Sequence, residues 1–282
     1  MSDSSRLAIV LLLAASALTG VIYAVVRPTT PERMKAYRGP IGILGRWAYF
    51  VTRPVLRAAM ALRLTANAIT AVGAAMAIAA GAFAAFGEWG WAGFLLVFGS
   101  WCDLIDGEIA RATSTQGKAG AFLDSNLDRL SEIAIFSGLA ASFQTRTGPF
   151  WATFALAASL MVSYARARGE GLGVECPNFG MERPHRVVLL MFALIFAPFL
   201  PGRWAGWIVE GACAAIALGA TATALGRMIV IHGRLRRQEQ GISASPRRAR
   251  DDRAAHGQER DDREKPPRDV RGEARDPGPL VP

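Results

Sequence analysis

The amino-acid sequence predicts an all-α integral membrane protein. The expected fold is a bundle of six transmembrane helices, preceded by an amphipathic juxtamembrane helix and by one extra N-terminal transmembrane helix. Three observations predict it. Of 282 residues, 51% are hydrophobic, and the mean hydropathy is +0.23 even though the chain from Gly233 onward is strongly charged. Apolar runs of about spanning length recur along the rest of the chain. The connections between those runs alternate between neutral and basic, the pattern of a positive-inside topology. Other chemistries are disfavoured. Cys102, Cys176 and Cys213 lie far apart without a CxxC pair, and His185, His232 and His256 are equally scattered, so neither a disulfide framework nor a zinc site is indicated.

The elements follow in order. Residues 7–26 form the first apolar run; no A-x-A site closes it, so residues 1–26 read as a retained anchor rather than a cleaved signal peptide. Residues 27–66 carry Arg27, Arg33, Lys35, Arg38, Arg46, Arg53, Arg57 and Arg63 against the single acid Glu32. Within this segment Ile43, Leu44, Trp47, Phe50, Val51, Val55 and Leu56 recur at helical spacing, which predicts an amphipathic helix on an anionic cytoplasmic leaflet. A plain basic loop is the alternative, on the same side of the membrane.

Six further apolar segments, 67–87, 91–111, 120–143, 150–167, 187–200 and 204–231, make a domain over 67–232. Their basic connections hold Lys118, Arg168, Arg183 and Arg186, which puts the N-terminus outside and the C-terminus inside a cell membrane with seven spans. The segment 187–200 is short and interrupted by Pro198. Residues 233–282 are rich in Arg, Asp, Glu and Pro and are expected to be a disordered cytoplasmic tail. Its interspersed acids and lack of aromatics argue against nucleic-acid binding.

Charge concentrates where it is expensive. Asp103 and Asp106 are spaced i,i+3 and Asp124 and Asp128 i,i+4, so each pair shares a helix face. The short connection 112–119 makes the two segments antiparallel neighbours, and both pairs fall near its end of the hairpin. A charge within the bilayer costs ~2.5–3.5 kcal/mol even on a lenient scale, so four uncompensated carboxylates would cost on the order of 10 kcal/mol. Two divalent cations would cancel them, and all-oxygen ligands favour Mg²⁺, with Mn²⁺ as the alternative, over zinc. Gly107, Ala110 and Gly120 leave room for close approach of backbone or ligand. Solvated helix ends, or pairing with Arg111 and Arg129, are the plainer alternative for any one aspartate.

The pattern D-x2-D-G-x2-A-R-x8-G-x3-D-x3-D is present as Asp103, Asp106, Gly107, Ala110, Arg111, Gly120, Asp124 and Asp128. It resembles the signature of the CDP-alcohol phosphotransferases, membrane enzymes of phospholipid biosynthesis, over about 64–234. The resemblance implies a six-helix bundle with a juxtamembrane helix, usually a homodimer, in which CDP-diacylglycerol donates its phosphatidyl group to an alcohol and CMP is released. It implies Asp103, Asp106, Asp124 and Asp128 as ligands of two Mg²⁺ ions, with Asp128 also the catalytic base. An aspartate's reference pKa near ~3.9 makes it a weak base unless proton transfer is late or the metal activates the alcohol. Gly107, Arg111 and Gly120 would contact the CDP-lipid, as would Asn67 in a stretch similar to the family's T-P-N-x-I-T. Ala66 stands here where that pattern has proline.

Ser163 and Arg166 close one segment, and Arg183 and Arg186 open the next, composing a basic pocket for a phosphorylated acceptor. These stretches look like the S-Y-x-[KR]-A-R-x-E and E-R-x-x-R segments of the phosphatidylinositol-phosphate synthase branch, which implies inositol phosphate as acceptor. Glycerol 3-phosphate or a neutral alcohol is the alternative within the same chemistry. A Mg²⁺-dependent prenyltransferase and a cation or proton transporter are rivals of other classes; the first favours aspartate-rich motifs on widely separated helices without the linked G-x2-A-R-x8-G frame, and the second gives Gly107, Ala110 and Gly120 no shared purpose.

Overall fold

The structure is a computed structural model that describes residues 2–26, 39–115 and 117–240. The basic stretch 27–38 and residues 241–282 of the expected disordered tail lie outside the described residues, as do the side chains of Ile43 and Leu44; the first residues of that tail, 233–239, are instead helical, continuing the last helix. The regular structure is helical: α1 (Asp3–Val26), α2 (Gly39–Ala61), α3 (Ala66–Ala85), α4 (Trp89–Ala112), α5 (Lys118–Ser142), α6 (Gly148–Gly171), α7 (Arg183–Phe196), a 3-10 turn (Ala197–Phe199) and α8 (Trp204–Glu239). Met1–Ile231 forms one compact unit; the second, His232–Pro282, is described only through the last turns of α8.

Local chemistry explains the helix ends. Thr65 caps α3, its hydroxyl accepting from the Ala68 amide, and Ala66 takes the first helical position, where a proline is also well suited. Pro149 and Pro184 sit in the first turns of α6 and α7, where a missing N–H removes no intrahelical bond. Gly87, with φ +76°, makes the turn between α3 and α4.

Small residues set the packing. The backbones of α3 and α5 meet at Gly81 and Gly138, where an added Cβ on Gly138 would overlap the Gly81 carbonyl oxygen. Around this contact lies a core of Ala80, Ala84, Leu96, Ile135, Phe136, Leu139, Leu194, Val209, Cys213 and Ile216. Ala158 and Val162 of α6 meet Ala220 and Ala224 of α8. The inner face of α2 packs Ala59 and Leu56 against Ile105, Ile109 and Trp101 of α4, and the Trp101 indole donates to Thr52 Oγ1 at 2.7 Å.

The extra helix α1 docks by its N-terminal end. Ser5 lies against Gly90 and Pro198, Arg6 Nε donates to the Pro198 carbonyl at 2.9 Å, and Ile9 is fully buried. Most of the other large apolar side chains of α1, from Leu7 to Val26, remain exposed, as a lipid-facing helix requires.

Among the described residues four helices, α1, α3, α6 and α8, are long and apolar enough to cross a membrane. The sequence predicts seven spans. The other three, α4, α5 and α7, fall short for two reasons. α4 and α5 carry the acidic site, and α7 has 14 residues, about 21 Å of helix against a hydrocarbon core of ~30 Å. Their charges and short reach are compensated by neighbours within the bundle of a multi-pass membrane protein.

Candidate active site

The helix register that pairs the aspartates also brings them together. α4 and α5 both pack against α3, and Asp103 of α4 and Asp128 of α5 meet on one guanidinium. Arg183, the first residue of α7, places Nη1 2.8 Å from Asp103 Oδ2 and Nη2 2.8 Å from Asp128 Oδ1. Asp106 is buried, and its Oδ2 accepts from Thr70 Oγ1 of α3 at 2.6 Å. Asp106 is within electrostatic reach of Asp103 and Asp124, and Asp128 of Asp124, Asp103 and Glu132. All four aspartates therefore belong to one acidic cluster.

The cluster departs from the expected metal cage in one respect. Among the described residues no three His, Cys, Asp or Glu side chains converge on a single metal-sized position. The positive charge facing Asp103 and Asp128 is the Arg183 guanidinium, which stands in for a cation. The donor set nevertheless fits Mg²⁺ or Mn²⁺: carboxylate oxygens from two helices that already share one cationic partner.

A cavity of about 570 Å³ opens beside the cluster. Asp124 and Asp128 line one wall, and Ser163, Arg166, Arg183 and Arg186 line others. The acidic pair of α5 and all four residues of the predicted basic pocket thus border one space. Arg186 is not free within it. It is 2% exposed; its Nε and Nη2 donate to Glu132 Oε1 at 3.1 and 2.6 Å, and its Nη1 donates to the Met181 carbonyl at 3.0 Å. Arg183 is likewise committed, to the aspartates.

The expected nucleotide contacts fall at the start of α3 and the end of α4. Asn67 is exposed and lines a second cavity, of about 470 Å³, with Arg63, Thr65, Ile109 and Thr113. The cap of α3 is Thr65, which leaves the Asn67 amide available. A Cβ on Gly120 would lie 3.5 Å from Asn67 Oδ1, in ordinary contact, so the starts of α3 and α5 are neighbours. Gly107 lies under the guanidinium of Arg111, which pairs with Glu108 at 2.7 Å.

Four residues at the site carry no assignment from sequence: Thr70, Glu132, Glu182 and Arg227. Glu132 and Arg227 had a signal, since a charge inside an apolar run needs a partner. Thr70 had none, because its role depends on which helix lies beside α3.

A helical membrane bundle with an acidic cluster beside a basic cavity defines a class: integral-membrane enzymes that handle phosphorylated substrates. The family model for CDP-alcohol phosphatidyltransferase matches residues 63–226, and the chain belongs to that family of transferases. It is 36% identical to the archaetidylinositol phosphate synthase of Methanothermobacter thermautotrophicus over 65% of this chain and 94% of that protein. It is 32% identical to the phosphatidylinositol phosphate synthase of Mycolicibacterium smegmatis over 57% of this chain and 77% of that one. Among solved structures, it resembles the phosphatidylinositol phosphate synthase of Mycobacterium tuberculosis in complex with manganese and citrate. There the TM-score is 0.58 at 25% identity, over 64% of this chain and 88% of that one. The same enzyme with CDP-DAG bound matches equally well, at a TM-score of 0.58. Helix α1 and the chain beyond Gly226 lie outside the family match.

Proposed function

We propose that this transferase moves the phosphatidyl group of CDP-diacylglycerol onto the hydroxyl of inositol phosphate, releasing CMP, at the cytoplasmic face of a cell membrane. One observation carries the reading: the acidic pair Asp124 and Asp128 and the basic set Ser163, Arg166, Arg183 and Arg186 line the same cavity. A neutral alcohol has no use for that concentration of arginine, whereas a phosphate monoester matches it. The related synthases support the same acceptor. The structural relatives holding manganese or CDP-DAG support a divalent metal and this donor.

Asp103, Asp106, Asp124 and Asp128 would hold two Mg²⁺ ions. When bound, these supply charge stabilisation to the transferred phosphoryl group and the departing CMP. Arg183 keeps Asp103 and Asp128 facing each other, and Thr70 orients Asp106. Asn67, Gly107, Arg111 and Gly120 serve the CDP-lipid, the glycines by leaving room and Arg111 by its charge. The acceptor enters the cavity between α5, α6 and α7, with its phosphate toward the arginines and its hydroxyl toward Asp128. That carboxylate takes the hydroxyl proton as the new ester forms. Two such chains form a homodimer, as the family resemblance implies.

The test is purified protein with CDP-diacylglycerol and Mg²⁺, scored for CMP with inositol phosphate, glycerol 3-phosphate, serine and inositol. Turnover with inositol phosphate alone is the expected result. Faster turnover with serine or unphosphorylated inositol would discard the phosphorylated-acceptor reading.

A further inference from the structure

The N-terminal helix lies outside the family match and has no part in the reading above. From Ser4, whose hydroxyl accepts from the Trp91 indole at 3.3 Å, to the fully buried Ile9, it is seated on the bundle. Past Ile9 a groove of about 340 Å³ runs between α1 and α4. Leu12, Ser16 and Thr19 share one face of α1 and form one wall; Val97, Trp101 and Leu104 share one face of α4 and form the other. Helix α2 adds Trp47 and Val51.

Nearly every polar group along this groove is already satisfied. The Ser16 and Thr19 hydroxyls turn back onto their own helix, to the Leu12 and Ala15 carbonyls at 2.8 and 2.9 Å, and the Trp101 indole donates to Thr52. Such a surface within a membrane bundle meets hydrocarbon. The exception is Trp47: its indole N–H is buried with no acceptor among the described residues, near Gly20, where a Cβ would lie 3.8 Å from Nε1. Hydrocarbon alone leaves that donor unsatisfied, which is costly. An acyl chain supplies what is missing, because the ester that joins it to glycerol carries a carbonyl acceptor at the depth where membrane tryptophans gather. The groove also reaches the acidic site. Ser100 borders both the groove and the pocket lined by Asp103 and Asp128, and Leu104 directly follows Asp103. A donor whose pyrophosphate sits at the aspartates starts its tails beside this groove.

We propose that the groove takes one acyl chain of the donor lipid, with its ester carbonyl on the Trp47 N–H, and that α1 is the wall that selects this chain. Ser16 and Trp47 are then specificity-determining contacts, and the extra helix has a role in choosing the donor's tail. The inference deepens the reading of CDP-diacylglycerol as donor and rests on it.

Binding is measured apart from turnover, by calorimetric titration of the full chain in detergent with Mg²⁺ and no acceptor. The probes are CDP, CDP-diacylglycerol and the dialkyl ether analogue of that lipid. The parent should bind the ester about fivefold more tightly than the ether, which lacks the carbonyl. Trp47→Phe keeps a ring and removes the donor, so it should erase that difference by weakening the ester alone. Ser16→Trp fills the groove and should weaken both lipids by about tenfold while leaving CDP unchanged. If Ser16→Trp does not fold, Trp47→Phe with the ester and ether pair carries the test. An ester preference that survives Trp47→Phe, no such preference in the parent, or undiminished lipid binding in Ser16→Trp would overturn the proposal. Loss of CDP binding along with the lipids in Ser16→Trp would also overturn it, since α1 would then support the fold and not the groove. A parent that binds no CDP-diacylglycerol would discard the donor and the groove together. Donor binding that follows the expected pattern, without CMP formation from inositol phosphate, would keep the groove and discard that acceptor.

Discussion

The two ends of this bundle are held together by opposite means. At the end where α3 finishes and α4 begins, the core contacts are between Gly, Ala and branched aliphatics: Gly81 on Gly138, with Ala84, Ala92, Leu139, Ala152 and Val209 around them. At the other end the same helices are joined by charges: Arg183 to Asp103 and Asp128, Arg186 to Glu132, and Arg227 to Glu182. The first kind of contact is close-packed and has nothing to exchange. The second consists of ions that a substrate or metal can re-pair. A membrane enzyme needs both, because ions that must re-pair with phosphates cannot be close-packed; at the charged end the buried pair of Arg186 and Glu132 also serves the fold.

The strongest way to break that division is Asp128→Asn. Arg183 keeps Asp103 as its partner, so the fold should survive with its thermal midpoint nearly unchanged. CMP release should fall by about a thousandfold or more. A variant that unfolds instead would mean that the charged end is structural after all.

Glu132→Ala probes the one pair at that end which is fully buried. It strands Arg186 without its counter-charge and should cost ~3–5 kcal/mol, read as loss of the folded fraction in detergent. The double change Glu132→Leu with Arg186→Met should recover most of that stability, because two buried charges are removed together. Failure of the recovery would mean that the pair contributes more than mutual neutralisation.

At the apolar end, Gly138→Ala forces a methyl against the Gly81 carbonyl and should cost ~1–3 kcal/mol. Activity per folded molecule should stay close to that of the parent, which separates the two ends. Equal loss of turnover and stability would erase the distinction.

The smallest effect is expected at Glu88, whose carboxylate accepts from the Ser2 amide at 3.0 Å and the Ser2 hydroxyl at 2.8 Å. The Ser2 amide bond lowers its pKa below the ordinary value of 4.5. A carboxylate depressed on folding stabilises above its unfolded pKa, and that contribution fades as pH falls through the folded value. Docking of α1 should thus be unaffected between neutral pH and about pH 5 and loosen only in stronger acid. Proteolytic release of the N-terminal helix across a pH series would measure this, with Glu88→Gln already loosened at neutral pH.

Much of the architecture was legible before any coordinates. Apolar length and turn chemistry located the helices to within a few residues at most ends, since a lipid-facing helix must be apolar nearly all round and Gly87 or Pro149 can hardly sit elsewhere. The aspartate cluster was legible because i,i+3 and i,i+4 spacing on two antiparallel helices leaves few places for the carboxylates to go. The ion pairs were not. Arg183 and Arg186 both read as phosphate ligands, yet one bridges the aspartates and the other is closed on Glu132. Arg227 sits in an apolar run whose periodicity says nothing of the loop packed beneath it.

By itself, the sequence determined where the helices run, which face of each carries charge, and that acids and arginines gather at one end. Those properties follow from local composition and helical period, and both are written along a single segment. Only the tertiary structure decided which arginine neutralises which acid, and so which donors remain for a substrate. Charge pairing is a competition among all the ions of one enclosed space, and its outcome depends on distances between helices that no single helix encodes.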